Sequence, residues 1–334
     1  MKLVTTSVVV VAALFSAGFT ATGKDTVLDV VSEYLGQPPS NCQLPVLIEP
    51  KITATAQIAD GVLTFYRAVN CAGALNFIVG TPNSAQNTTP IVMALPQTSN
   101  AGAKEVFGLA GDPALGYGRK FMQAGFVVVS PEVWINGDGS DASADWNTAN
   151  FYKLFPRWSA LGRMLEDNRS VLDFMARSRP NASCIAAVGH SLGGHNAIFL
   201  SAFDKRVDVT VSNAGFEPIA TDTDAERWSR SSWFIYAPKL REVVTAPAPR
   251  KVPFDFSDIL SSIAPRAVMV IQEQQDPNWT HIERLPGSLQ DIENGYSDLH
   301  VPNRFRLEMF PGGHSFPDAE QTRAVEFVKG QCAR

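Results

Sequence analysis

The chain has 334 residues, of which 45% are hydrophobic and 18% charged, with 24 Gly and 22 Pro. That balance excludes a disordered polyelectrolyte, a collagen-like repeat and a long coiled coil, and the length suits one large α/β domain. Twenty-eight basic residues against 33 acidic ones leave a net charge of −5 without a long Lys or Arg run, which argues against nucleic acid or an anionic lipid surface as partner.

The chain opens with Met1-Lys2-Leu3, an apolar stretch from Val8 to Phe19 and small residues around Ala21-Thr22-Gly23 before Lys24 and Asp25. This is the layout of a secretory signal peptide over residues 1–23, with an apolar run short for a membrane span, so a secreted chain without stable membrane insertion is expected. The remaining residues, 24–334, read as a single domain. Cys42, Cys71, Cys184 and Cys332 all lie beyond the signal, an even count that suggests two disulfides in an oxidising compartment. No CxxC pair supports a structural zinc or redox site. Sequons begin at Asn87, Asn168, Asn181 and Asn278 and allow a glycoprotein.

Lys51 to Gly80 read as antiparallel leading strands. From Pro90 onward, short apolar runs alternate with longer helical patterns. The predicted strands are Pro90–Leu95, Phe126–Ser130, Cys184–Val188, Val207–Ser212, Ala267–Ile271 and Phe305–Met309. The predicted helices are Ala114–Ala124, Ser159–Arg177, Leu192–Phe203, Ile282–Asn294 and Asp318–Lys329. Such alternation predicts an α/β fold: a mostly parallel central sheet with helices on both faces and ligand groups at the carboxyl ends of the strands. One interruption, residues 216–264, mixes Pro, Ser and charges with Trp228, Trp233, Phe234 and Tyr236 and reads as a small cap over a pocket. In this topology Cys184 begins a strand at the edge away from the site, and the last helix runs back to that edge, which pairs Cys184 with Cys332 and leaves Cys42 for Cys71.

Chemistry concentrates at Gly189-His190-Ser191-Leu192-Gly193-Gly194, between a predicted strand and a predicted helix. This is a nucleophile elbow, in which a turn too tight for flanking side chains presents a serine hydroxyl above a helix N-terminus. Serine needs a base, and the base needs an orienting carboxylate. Of the five histidines, His314 stands in a Gly-rich loop between the last strand and the last helix. His190 and His195 flank the nucleophile and read as packing residues, and His281 and His300 as surface or cap residues. Asp276, in Gln274-Gln275-Asp276-Pro277 after the fifth predicted strand, completes the chain order Ser, Asp, His, with Glu273 in reserve. For the oxyanion, one donor is the N–H of Leu192. The other falls to Gln97, because Pro96 has no N–H to offer. Trp134, Trp233 and Trp279 are candidates for an aromatic substrate pocket.

The Asp-rich run from Asn136 to Asp145 lacks the closing Glu of an EF-hand loop and reads as a solvated turn. HExxH, Walker A and GxGxxG are all missing, and the triad needs no cofactor and no metal.

These residues resemble the α/β-hydrolase superfamily, and within it secreted proteins similar to dienelactone hydrolases and acetyl xylan esterases. The likeness runs from about Pro90 to the C-terminus. It includes Gln97-Thr98 with Gly102, Lys104, Glu105 and Gly108-Leu109-Ala110-Gly111, then Gly125 to Pro131, Asp255-Phe256 through Ile263-Ala264-Pro265-Arg266, and Gly312-Gly313-His314-Ser315-Phe316. Two positions depart from the family pattern: Pro96 stands where a His is common and Glu132 where an Asp is common. The expectation is a secreted serine hydrolase that cleaves a small-molecule or polysaccharide-linked carboxylic ester through an acyl-enzyme. A peptidase on the same fold and a non-catalytic binding protein are the alternatives.

Overall fold

The computed structural model describes residues 26–40, 42, 45–134, 146–279 and 281–333. The predicted signal peptide and the Asp-rich run from Asn136 to Asp145 lie outside them. The described elements begin with helix α1 (Val27–Leu35), followed by a meander of three long strands, β1 (Ile48–Ile58), β2 (Gly61–Asn70) and β3 (Gly73–Pro82). Then come β4 (Ile91–Leu95), the short α2 (Ala103–Val106), α3 (Tyr117–Gln123), β5 (Val127–Pro131), α4 (Ala149–Leu154) and α5 (Ala160–Ser178). The second half runs β6 (Ile185–His190), α6 (Leu192–Phe203), β7 (Val209–Asn213), α7 (Arg241–Val244), α8 (Phe256–Ser261), β8 (Ala267–Glu273), α9 (Leu285–Asp298), β9 (Phe305–Phe310) and α10 (Asp318–Cys332).

The strands form one sheet in the order β1-β2-β3-β5-β4-β6-β7-β8-β9. Strands β1 to β3 pair antiparallel, as does β3 with β5, and every pair from β5 to β9 is parallel. Strands β4 to β8 are buried on both faces, which explains why they read as apolar runs rather than alternating ones, while β9 at the sheet edge is partly exposed. In β4, Ile91, Met93 and Leu95 enter one core with residues of α1, α5, α6, α8 and α9, while Val92 and Ala94 enter the other with α3 and α10. The chain has the α/β-hydrolase architecture expected of it.

The six strands predicted after Pro90 are all present, with ends shifted by two residues at most. Two helices differ. The stretch 114–124 divides at Gly116 into a 3-10 turn (Pro113–Leu115) and α3, and 282–294 opens with a 3-10 turn (Ile282–Arg284) before α9, whose second residue is Pro286. Helix α1 was not predicted, although its capping box is legible: Thr26 accepts from the Asp29 N–H, and the Asp29 carboxylate accepts from the Thr26 N–H at 2.8 Å. Asn168 lies buried on α5, which removes it from the accessible sequons. Among the described residues no helix is long and apolar enough to cross a membrane.

Both disulfides have the expected partners, Cys42 with Cys71 (Cα–Cα 5.2 Å) and Cys184 with Cys332 (5.5 Å). The second ties the start of β6 to the end of α10 across 148 residues of sequence. Closing so long a loop restricts the unfolded chain, so the Cys184→Ser/Cys332→Ser double variant is expected to lose about 2–5 kcal/mol. Thermal melting should show this as a fall in Tm of roughly 5–10 °C; an unchanged Tm would mean that this bridge adds nothing to stability.

Candidate active site

Strand β4 is the branch point of the sheet, since β5 follows on one side of it and β6 on the other. In such sheets the crevice at the carboxyl ends of the diverging strands is the natural site for a ligand. Register brings Leu95 of β4 opposite Gly189 of β6, His190 opposite Asn213 of β7, and Asn213 opposite Ile271 of β8. Glu273 of β8 in turn lies opposite Phe310 of β9, so the strands that lead to Gln97, Ser191, Asp276 and His314 end along one edge of the sheet, with β7 between β6 and β8.

Ser191 sits between β6 and α6 with φ +54° and ψ −120°, a backbone conformation that is strained for any residue with a Cβ. Its N–H is held by the Asn213 carbonyl at 2.9 Å, and its hydroxyl makes no capping bond to its own helix. The turn closes because Gly189 and Gly193 carry no side chain. A Cβ on Gly189 would lie 2.2 Å from the Gly193 backbone, and one on Gly193 would lie 1.9 Å from the Leu95 carbonyl oxygen. The same close approach sets the first turn of α6 against the loop after β4, which carries Gln97.

His314 follows β9 and donates from Nδ1 to Asp276 Oδ2 at 2.7 Å. The Asp276 side chain is fully buried. Its Oδ1 accepts from the Asn278 N–H at 2.8 Å, and its Oδ2 also accepts from Gln272 Nε2 at 3.4 Å. With Nδ1 engaged, Nε2 of His314 is the nitrogen left to take a proton. Ser191 and His314 line one cavity of about 380 Å³ together with Gln97, Thr98, Leu192, His195 and residues of the segment after β7. The structure thus gathers Ser191, His314, Asp276, Leu192 and Gln97 at one place. Gln97 is steadied there by its own side chain, which donates to Glu105 Oε2 at 2.9 Å.

Glu273 is not bonded to the His314 ring. Its Oε1 accepts from Asn213 Nδ2 at 3.1 Å and from the Ser315 N–H at 3.2 Å, and its Oε2 accepts from Gln272 Nε2 at 3.1 Å. Asn213 Oδ1 in turn accepts from His190 Nδ1 at 2.6 Å. The His190 ring lies 4.6 Å from that of His314. Burial, reinforced by the neighbouring His314, lowers the His190 pKa to about 3, so His190 is a neutral packing partner beneath His314. His195 is likewise buried, with Nδ1 3.3 Å from the Gly215 carbonyl and Nε2 against the Tyr236 hydroxyl. His281 pairs with the exposed Glu283 at 3.3 Å, and His300 is exposed.

Burial pushes the Glu273 carboxyl up to about 7. A carboxyl whose pKa is higher in the folded than in the unfolded chain favours folding below the unfolded value of about 4.3, and that advantage is lost as pH rises through the folded value. Glu273→Gln removes the titration, so the variant is expected to gain stability relative to the parent between pH 5 and pH 8. Denaturant melts at the two pH values check this; a constant difference would show that Glu273 is ionised throughout.

The three Trp proposed for the pocket divide. Trp233 and Trp279 line the Ser191 cavity. Trp134 does not: it faces a separate hollow of about 210 Å³ with Phe151 and Leu154, where the Arg163 guanidinium lies 4.3 Å from its ring. Position in sequence misled here, because Trp134 follows β5 at the carboxyl edge but β5 lies two strands from β6. Trp228 takes the third place, with its ring 6.1 Å from that of Trp279. Its presence in an aromatic-rich insertion was a usable signal. Phe234 and Tyr236, read in the sequence as part of the cap, also line the cavity, and Asp224, Arg227, Arg230 and Asn278, for which the sequence suggested no pocket role, complete the wall.

Comparison with known proteins agrees with this geometry. Residues 101–243 match the model of the dienelactone hydrolase family. Among solved structures the chain is similar to a glucuronoyl esterase from Solibacter usitatus (TM-score 0.69, 15% identity, 91% of each chain covered). It is also similar to a glucuronoyl esterase from Teredinibacter turnerae (0.65, 18%, 91% of this chain and 83% of that one), and to a proposed acetyl xylan esterase from Bacteroides fragilis (0.62, 18%, 80% and 71%). A search of the curated proteins found no match. Likeness at these identities establishes the fold, and the α/β-hydrolase resemblance read from the sequence is borne out.

Proposed function

We propose that this chain, a serine carboxylic ester hydrolase, works through an acyl-enzyme on Ser191 and acts outside the cytoplasm on esters carried by carbohydrate. The observation that carries the reading is the strained Ser191 sharing a cavity with a histidine whose Nδ1 is held 2.7 Å from a buried carboxylate. In the first step Ser191 Oγ bonds to the ester carbonyl carbon while His314 Nε2 takes its proton, and Asp276 stabilises the imidazolium. The oxyanion accepts from the backbone N–H groups of Leu192 and Gln97. The C–O bond to the alcohol then breaks as His314 returns the proton to the leaving oxygen. Water, deprotonated by His314, repeats the sequence on the acyl-enzyme to release the acid and Ser191.

Segment 216–264 supplies Trp228, Trp233, Phe234 and Tyr236 to the cavity wall, which supports its role as a cap. Aromatic faces suit the apolar faces of sugar rings, and the structures of similar fold are named for esters on glucuronate and xylan. Two disulfides and the predicted signal peptide support export. The test is fluorophosphonate labelling followed by a substrate panel. We expect a label on Ser191, turnover of p-nitrophenyl acetate and acetylated xylo-oligosaccharides, and none of aminoacyl anilides. A chain that neither labels nor hydrolyses any ester refutes the reading, and faster cleavage of anilides would make it a peptidase.

A further inference from the structure

Two guanidinium groups line the Ser191 cavity, and their surroundings differ. Arg227 is fully engaged. Its Nε lies 3.2 Å from the buried Asp222 and its Nη2 3.1 Å from Asp224, it donates to the carbonyls of Asp224 and Asn278, and it packs 4.7 Å from the Trp279 ring. Arg230, three residues further along, donates to the Arg227 carbonyl at 3.4 Å and lies 5.5 Å from the Trp233 ring. Among the described residues it has no ion pair with a carboxylate. Burial, and then repulsion from Arg227, holds its pKa below the usual arginine value, with Asp224 pulling the other way. Asp224 is itself held by Arg227 and largely exposed. The other titratable groups facing the cavity are His195, Tyr236 and His314.

A half-buried guanidinium in the same cavity as a nucleophile, with no carboxylate paired to it among the described residues, is an incomplete pair. Its planar fork matches a carboxylate in two parallel hydrogen bonds, and partial desolvation strengthens such a pair. Resting on the esterase reading, we propose that Arg230 recognises a second, unesterified carboxylate on the substrate, so that the preferred esters are anionic. Trp228, Trp233 and Trp279 would cover the body of that substrate while Arg227 braces the wall.

Two matched pairs of esters place the charge on either side of the scissile bond: mono-p-nitrophenyl glutarate against p-nitrophenyl pentanoate, and 4-acetoxybenzoate against p-tolyl acetate. The wild-type chain is expected to prefer the charged member of at least one pair, and Arg230→Gln to lower that charged-to-neutral ratio of kcat/KM by about tenfold or more, mainly through KM. The proposal is overturned if neither charged ester is preferred, or if the ratio survives the substitution. Should Arg230→Gln not fold, the wild-type preference decides alone. If none of the four esters is hydrolysed, the esterase reading fails separately. Calorimetric binding of glutarate and 4-hydroxybenzoate to Ser191→Ala, with and without Arg230→Gln, then decides: an affinity lost with Arg230 supports the carboxylate site, and absent or equal binding rejects it.

Discussion

Ser191→Ala is expected to lower kcat for ester hydrolysis by about 10³-fold or more, the scale of losing a nucleophile from a unit of three residues. The melting temperature should stay close to that of the parent. Ser191 Oγ makes no bond to its own helix, so removing it orphans no buried partner, and alanine meets the same backbone strain at φ +54° that serine already tolerates. The loss would therefore be chemical rather than structural. Steady-state kinetics with p-nitrophenyl acetate, beside a thermal melt, separate the two. Turnover within tenfold of the parent would remove Ser191 from the nucleophile role.

Asp276→Asn is expected to cost on the order of 10² to 10⁴ in kcat. The carboxylate accepts from His314 Nδ1 through one oxygen and from the Asn278 N–H through the other. An asparagine can keep only one of these acceptors. If its oxygen stays with Asn278, its NH₂ faces His314 Nδ1 and forces that nitrogen to accept. The proton then sits on Nε2, and the ring cannot take one from Ser191. Binding should change little, so KM serves as the control. Glu273→Gln is the paired measurement, since both carboxylates lie within a few residues at the end of β8. A glutamine keeps its oxygen for Asn213 and Ser315, while its NH₂ meets Gln272, whose amide must turn over. That change should cost less than about tenfold in kcat. If Glu273→Gln proves the more damaging and Asp276→Asn is silent, the orienting carboxylate is Glu273.

The sequence by itself determined the order of the six strands and the five longer helices from Pro90 onward and the pairing of the cysteines, but not the short helices α2, α4, α7 and α8. Parallel strands buried on both faces must be continuous apolar runs, and the elbow needs Gly at positions where a Cβ would strike backbone. Both constraints are local and therefore legible. Ser191 and His314 could be read in the same way, because strand ends place them. The sequence favoured Asp276 and kept Glu273 in reserve, but three residues of separation leave both near the end of β8. Only the turn after the strand decides which carboxylate reaches His314, and there it is Asp276, while Glu273 closes a buried network with Asn213, Gln272 and Ser315. The lining of the cavity was likewise decided by tertiary structure. Trp134 and Trp228 are both aromatic residues in loops at the same edge. The order in which the strands lie in the sheet sends one to a separate hollow and brings the other to the nucleophile. Arg227 and Arg230 are alike in composition and three residues apart. What distinguishes them is which carboxylates the folded segment after β7 carries within reach, a property of distances that no local pattern encodes.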